Sequence, residues 1–279
     1  IRSVAPLLAS KASDPAVVVM DDAGRFSISL LSGHLGGANE LAERCAFMTG
    51  ARAVITTATD ANGLPSFDML AKENGWIIED LSRVKTLNAL LLDDEKIAVV
   101  DDTGLTRAFF HGQGRLQFHD SFIAGLRSDA KGFLVVTNSI IPPQLRAETL
   151  LVLRPKNLVL GIGCNSGTAA DEIEGVVLGA LKRLLLSPVS IAAIATAEAK
   201  SREAGLIETA ERFAVPLLCY PSDELNAVTV PSPPSNHALA AIGATGVAEP
   251  AALLAAAGGR LLLKKIKSGN VTLAVAVKE

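Results

Sequence analysis

The densest group of residues able to do chemistry is Ser32-Gly33-His34-Leu35-Gly36-Gly37-Ala38-Asn39-Glu40. Its three glycines let backbone N–H groups approach a ligand closely, because no Cβ stands in the way. At a helix start such N–H groups are unpaired and face anions. His34 is the one side chain of the turn whose ordinary titration lies near neutral pH, so it could take up or give a proton. The competing reading is a tight connection bearing a surface imidazole.

Further along, Thr56, Thr57, Thr59 and Asp60 gather behind the short apolar run Ala53-Val54-Ile55. Ligands of open α/β sheets favour the carboxyl ends of strands, so these oxygens could orient a substrate or a water molecule. They would equally suit a helix-capping loop. Asp68 is read as decorating the next helix start, where the macrodipole favours a carboxylate. A second glycine-rich stretch runs Gly161-Ile162-Gly163-Cys164-Asn165-Ser166-Gly167-Thr168. No Lys follows its last glycine, and it is one residue too long for the dinucleotide pattern, so a nucleotide enzyme is a weak reading. Cys164 would be a nucleophile only with a partner, and no His lies near it in sequence; a small buried side chain is the plainer reading. Lys200 opens a helix against the macrodipole, which suits an anion contact as well as a solvated charge. Glu203 follows in the same helix, and Glu249 begins another. His111, His119 and His237 share no metal-like spacing, so they are read as surface or packing residues and no metal site is expected.

The elements that must position these residues alternate along the chain. Ala16–Met20 and Phe26–Leu31 flank a glycine-containing turn and predict a hairpin. Ala38, Leu41, Ala42, Cys45 and Ala46 fall on one helical stripe that Gly50 ends. A helix capped by Ser66 is predicted up to Asn74. From Val84 to Arg154 the pattern weakens and predicts a small unit of β character, with strands at Lys96–Val100 and Phe133–Thr137. Beyond it come a strand at 158–163, a helix near 168–185, strands at Ser190–Ala195 and Leu217–Tyr220 with a helix between them, and a helix opened by Glu249-Pro250. Ser268-Gly269-Asn270 predicts a closing hairpin. The fold class is α/β: N-terminal (1–82) and C-terminal (156–279) domains with helices on small mixed sheets, joined by a less regular middle region (83–155).

A chain of 279 residues with 49% hydrophobic and 20% charged residues is globular rather than disordered. Its net charge of −3 gives no general attraction to nucleic acid, and no apolar run approaches a membrane span. Cys45, Cys164 and Cys219 are widely separated, which argues against a disulfide framework. No signal peptide is visible, so the cytoplasm is the expected compartment.

Taken together, 30–42 and Val54-Ile55-Thr56-Thr57-Ala58-Thr59-Asp60 strongly resemble the N-terminal domain of the cobalt-precorrin-5A hydrolase family of cobalamin biosynthesis, CbiG. Gly161-Ile162-Gly163-Cys164 with Gly167-Thr168, then Lys200 with Glu203-Ala204-Gly205-Leu206, then Val247–Leu253, resemble its C-terminal domain. The resemblance implies a further segment ahead of Ile1 in family members. It also implies a cobalt-bearing contracted tetrapyrrole as substrate, whose ring-A δ-lactone is opened by water with release of acetaldehyde. Cobalt would belong to the substrate, so no cofactor is expected of the protein. Partners would be that substrate and, in passing, other enzymes of the pathway, with no nucleic acid and no membrane.

On this resemblance His34 or Asp60 would handle the proton of the attacking water, and N–H groups around Gly36 and Gly37 would hold the oxyanion. Substrate contacts would come from Ser32, Gly33, Gly36, Gly37, Asn39, Glu40, Thr56, Thr57 and Thr59 in the first half. Gly161, Gly163, Cys164, Thr168, Lys200, Glu203 and Glu249 would supply them in the second, with Arg2 and Lys11 as further clamps on carboxylates. The alternative from another class is a non-catalytic tetrapyrrole-binding carrier of the same pathway.

Overall fold

In the computed structural model, which describes residues 4–9 and 14–278, the alternation from Val17 to Leu31 forms the expected antiparallel pair. Strands β1 (Val17–Met20) and β2 (Phe26–Leu31) meet over a turn in which Asp21 Oδ1 accepts from the N–H groups of Arg25 and Phe26, each at 2.7 Å. Helix α1 (Ala38–Thr49) buries Ala38, Ala42 and Ala46, small residues that let it lie close on β2. Gly50, at φ +74°, ends it in the left-handed region that suits glycine. Strand β3 (Arg52–Val54) then joins β2 in parallel and completes a sheet of order β1-β2-β3.

Two helices follow, α2 (Ala58–Ala61) and α3 (Phe67–Glu73), the second capped as expected by Ser66, whose Oγ accepts from Met69 N–H at 3.4 Å. Phe67, Leu70 and Ala71 turn one stripe of α3 into a core shared with Trp76 and with α4 (Leu81–Leu92). Asp68, next to Phe67, is buried too.

The stretch from Val84 to Arg154 corrects the expectation of a small β unit: it is a regular α/β layer. Strands β4 (Ile77–Ile78), β5 (Ile97–Asp101), β6 (Leu116–Phe118), β7 (Gly132–Val136) and β8 (Leu150–Arg154) take the order β4-β8-β7-β5-β6. The pairs β5–β6, β5–β7 and β7–β8 are parallel. Helices α5 (Leu105–Phe110) and α6 (Phe122–Leu126) connect them. Short parallel strands covered on both faces show no alternation, which is why the pattern is weak in sequence. The helical stripe of α4, Val84, Leu87 and Leu91, is buried at 4% exposure or less.

Residues up to Thr137 with Pro143–Leu153 form one compact unit, and Asn138–Pro142 with Arg154 onward form another.

The second unit holds a sheet of order β11-β10-β9-β13-β12, built from β9 (Leu158–Cys164), β10 (Ile191–Ala197), β11 (Leu217–Tyr220), β12 (Arg260–Ser268) and β13 (Val271–Val277). β9, β10 and β11 are parallel, while the predicted hairpin β12–β13 runs antiparallel along the other side of β9. Helices α7 (Ala170–Arg183) and α8 (Ala204–Arg212) cover one face through Leu158, Leu160 and Ile162. Then come α9 (Ser222–Ala227), α10 (Asn236–Ile242) and α11 (Ala248–Ala255), the last lying on the opposite face with Val159, Ala274 and Ala276. On β9 the large residues Leu158, Leu160 and Ile162 thus meet α7 and α8, while Gly161 lies under α11, where a Cβ would collide with the Ala248 carbonyl. No helix among the described residues is long and apolar enough to cross a membrane.

Candidate active site

The loop from Ser32 to Gly37 turns His34 inward. Ser32 stands at φ +59° and Gly37 at φ +82°, and Gly37 caps α1. The turn consumes its own donors: Gly37 N–H bonds to the His34 carbonyl at 3.1 Å, Ala38 N–H to Ser32 at 3.0 Å, and Asn39 N–H to Gly33 at 3.1 Å. This corrects the oxyanion expectation at Gly37, whose N–H is already spent. Gly36 is required by packing, since a Cβ there would collide with Ser32. Lys72 Nζ donates to the His34 carbonyl at 2.9 Å and ties the loop to α3.

Asp60 on α2 and Asp68 on α3 take opposite sides of the imidazole. His34 Nε2 lies 2.7 Å from Asp60 Oδ2, and Nδ1 lies 2.9 Å from Asp68 Oδ2. Carboxylate oxygens only accept, so a ring facing one on each nitrogen holds both protons and is an imidazolium. The hydrogen bond to Asp68 does most to raise the His34 pKa above its ordinary 6.5; burial opposes it, and the charge of Asp68 with the bond and charge of Asp60 reinforces it. Burial pushes the Asp68 carboxyl up, but the bond and charge of His34, with hydrogen bonds from Ser66 and Asn88, outweigh it and hold the group well below 3.8.

Outer partners complete the cluster. Asn39 Nδ2 donates to Asp60 Oδ2 at 2.9 Å and to Thr57 Oγ1 at 3.0 Å, and Asn39 Oδ1 accepts from Ser29 Oγ at 2.6 Å. Thr59 and Ser66 hydroxyls each stand 3.4 Å from a ring nitrogen. His34 is 7% exposed and Asp68 1%, whereas the Asp60 side chain is 42% exposed. Asp60 is therefore the member that can meet a substrate. Among the described residues nothing donates to its Oδ1, which is open to accept a proton from water.

Of the other candidates in this unit, Ser32, Gly33, Asn39, Thr57 and Thr59 line or brace the cluster. Glu40 and Thr56 are exposed beside it. Arg2 and Lys11 lie outside the described residues.

In the second unit, Cys164 ends β9, and Lys200 Nζ donates to Ser166 Oγ at 3.0 Å and to Glu203 Oε1 at 2.8 Å. Glu203 Oε2 accepts from Gly167 N–H at 3.0 Å, and Thr168 Oγ1 donates to the Asn165 carbonyl at 2.8 Å. Burial pushes the Cys164 thiol up, with Lys200 lowering it and Glu203 raising it, so the thiol is not an activated nucleophile. Gly161 and Gly163 are not in a ligand-facing turn. They sit buried inside β9, and a Cβ on Gly161 would collide with the carbonyl of Ala248 on α11. Glu249 is 2% exposed and fully engaged: Oε1 accepts from Ser232 Oγ and Lys265 N–H, each at 2.8 Å, and Oε2 from Ser232 N–H at 3.2 Å. It ties the loop at Ser232 to strand β12.

Family models described as cobalamin synthesis G N-terminal, cobalamin biosynthesis central region and cobalamin synthesis G C-terminus match residues 1–60, 65–155 and 158–276. A protein of Priestia megaterium named cobalt-precorrin-5A hydrolase is 39% identical over 99% of this chain and 75% of its own length. The chain belongs to the cobalamin synthesis G family. A member from Salmonella typhimurium with the same name is 33% identical over 99% of this chain and 78% of its own. The crystal structure of a cobalamin biosynthesis protein G homolog from Sulfolobus solfataricus is 26% identical, covers 100% of this chain and 78% of its own, and superposes with a TM-score of 0.38.

In this member of the family, sequence reasoning paired His34 with Asp60 as candidates but left Asp68 as a helix-start charge. Asn88 and Lys72 were missed altogether. Asp68 does stand in the first turn of α3 and also binds the ring; its spacing of 34 residues from His34 carries no local signal.

Proposed function

We propose that this protein hydrolyses cobalt-precorrin-5A in cobalamin biosynthesis. The reading is carried by the His34 imidazolium held between a buried Asp68 and a solvent-facing Asp60, in a chain related over 99% of its length to two proteins of that name. Asp60 takes a proton from water as the oxygen attacks the lactone carbonyl carbon. The ester C–O bond then breaks to leave a carboxylate and an alcohol. The alcohol loses its proton as its oxygen forms the aldehyde C=O, and the pair of the broken carbon–carbon bond passes to the macrocycle carbon, which is protonated, so that acetaldehyde is expelled. Positioned acid–base groups of this kind contribute about 100-fold or more in rate. The imidazolium aims Asp60 through the Nε2–Oδ2 bond, and the proton taken from water passes from Asp60 to the leaving oxygen. Cobalt enters and leaves with the substrate, and no cofactor is required.

The test is anaerobic incubation of the purified chain with cobalt-precorrin-5A and chemical trapping of acetaldehyde. Stoichiometric release above a no-enzyme control is expected. A tight coloured complex without release would instead establish a carrier.

A further inference from the structure

Asn88 lies on α4, in the middle segment, yet its side chain ends at the His34 cluster. Its Oδ1 accepts the N–H of Phe67 at 3.1 Å, and its Nδ2 donates to Asp68 Oδ1 at 3.1 Å. A backbone N–H can only donate, so the amide is locked one way round and its NH2 must face Asp68. That bond occupies Oδ1 and leaves Oδ2, the oxygen that meets His34 Nδ1. Leu87 and Leu91 on the same helix are buried at 0% and 2% exposure, so the arm that carries Asn88 has no freedom to follow a drifting carboxylate. We infer that Asn88 is a positioning residue: it fixes the rotation of the Asp68 carboxylate and thereby the seat of the imidazolium that aims Asp60. The middle segment in this way completes a site whose other members precede it in the chain.

This inference rests on the roles given above to His34 and Asp60, and its test separates the two. In N88A the Asp68 carboxylate is free to rotate, and the His34–Asp68 bond is made only part of the time. His34, followed by NMR of its ring nitrogens without any substrate, then titrates at lower pH than in the wild type. Under turnover with cobalt-precorrin-5A, kcat falls on the order of 10-fold or more while KM holds, because misaimed chemistry rather than binding is lost. N88D keeps an oxygen for Phe67 N–H but sets a second carboxylate against Asp68. Its deficit in kcat relative to wild type shrinks as pH is lowered, because a proton shared between the two carboxyl groups replaces the missing donor. A merely structural residue would not show that pH dependence. An unmoved His34 titration in N88A, or a kcat within 2-fold of wild type, overturns the inference. Should N88A fail to fold by circular dichroism, a pH-independent deficit in N88D overturns it instead. Should the wild type release no acetaldehyde, the hydrolase reading falls and the titration alone decides the role of Asn88.

Discussion

Asp60 and Asp68 grip opposite nitrogens of one imidazole, 2.7 Å and 2.9 Å away, from opposite dielectric settings. The side chain of Asp68 is 1% exposed and that of Asp60 is 42% exposed. The buried partner anchors the ring and fixes its charge, and the exposed partner inherits a steady cation behind it. The same residue pair would lose that division of labour if both were buried or both were wet.

Replacing Asp60 by Asn removes the proton acceptor and keeps the shape. Acetaldehyde release should fall about 100-fold or more. Thermal unfolding should shift by no more than a few degrees, because half-exposed polar changes cost little. Full activity in this variant would move the general base elsewhere.

Replacing Asp68 by Asn takes away the bond and charge that do most to raise His34. The ring should then titrate at lower pH, and the alkaline limb of kcat/KM should move with it. Because Asp68 is buried, stability should also fall, by roughly 1–3 kcal/mol in urea unfolding. NMR titration of the imidazole in both proteins checks the direction. An identical titration would detach His34 from Asp68.

The pair should also write itself into stability against pH. His34 is raised above 6.5 in the folded chain, so its contribution is complete below that value and is lost as pH rises through the folded pKa. Asp68 is held below 3.8, so its contribution is complete above that value and is lost as pH falls toward the folded pKa. The window in which both contribute in full runs from about 3.8 to 6.5. Melting temperatures should lose the His34 contribution only as pH rises beyond that window, and this alkaline fall should be flatter in the His34→Gln variant.

How much of this could be read from the chain depends on the range of each signal. Ser66 as a cap and the Ser268–Asn270 turn are local, and each stands in the structure where the sequence predicts it; of the stripe Ala38, Leu41, Ala42, Cys45 and Ala46, the three alanines are buried and Leu41 is exposed. His34 lies just past β2, and Asp60 stands on the short helix α2 that follows β3, so both were in reach of a reading that looks beyond strand ends. Asp68 was half read: a carboxylate in the first turn of a helix has a sufficient local reason to be there, and that reason hides the distant one. Asn88 lies in the stretch where short doubly covered strands blur the pattern, so nothing pointed to it. Gly161 and Gly163 misled for a different cause. A glycine kept for close helix packing and a glycine kept for ligand access look alike until the neighbouring helix is placed.

That last distinction is itself testable. A methyl group at Gly161 would collide with the Ala248 carbonyl, so α11 must shift away from β9. Overpacking of this kind costs typically about 1–3 kcal/mol. Gly161→Ala should therefore lower the unfolding midpoint of the second unit. The His34 imidazole resonances should stay in place, since that site belongs to the first unit. If the variant is instead as stable as wild type and binds cobalt-precorrin-5A more weakly, Gly161 faces the ligand after all. A Gly161→Ser variant separates the cases further: its added oxygen would deepen the loss of stability in a packed strand, where no described donor awaits it.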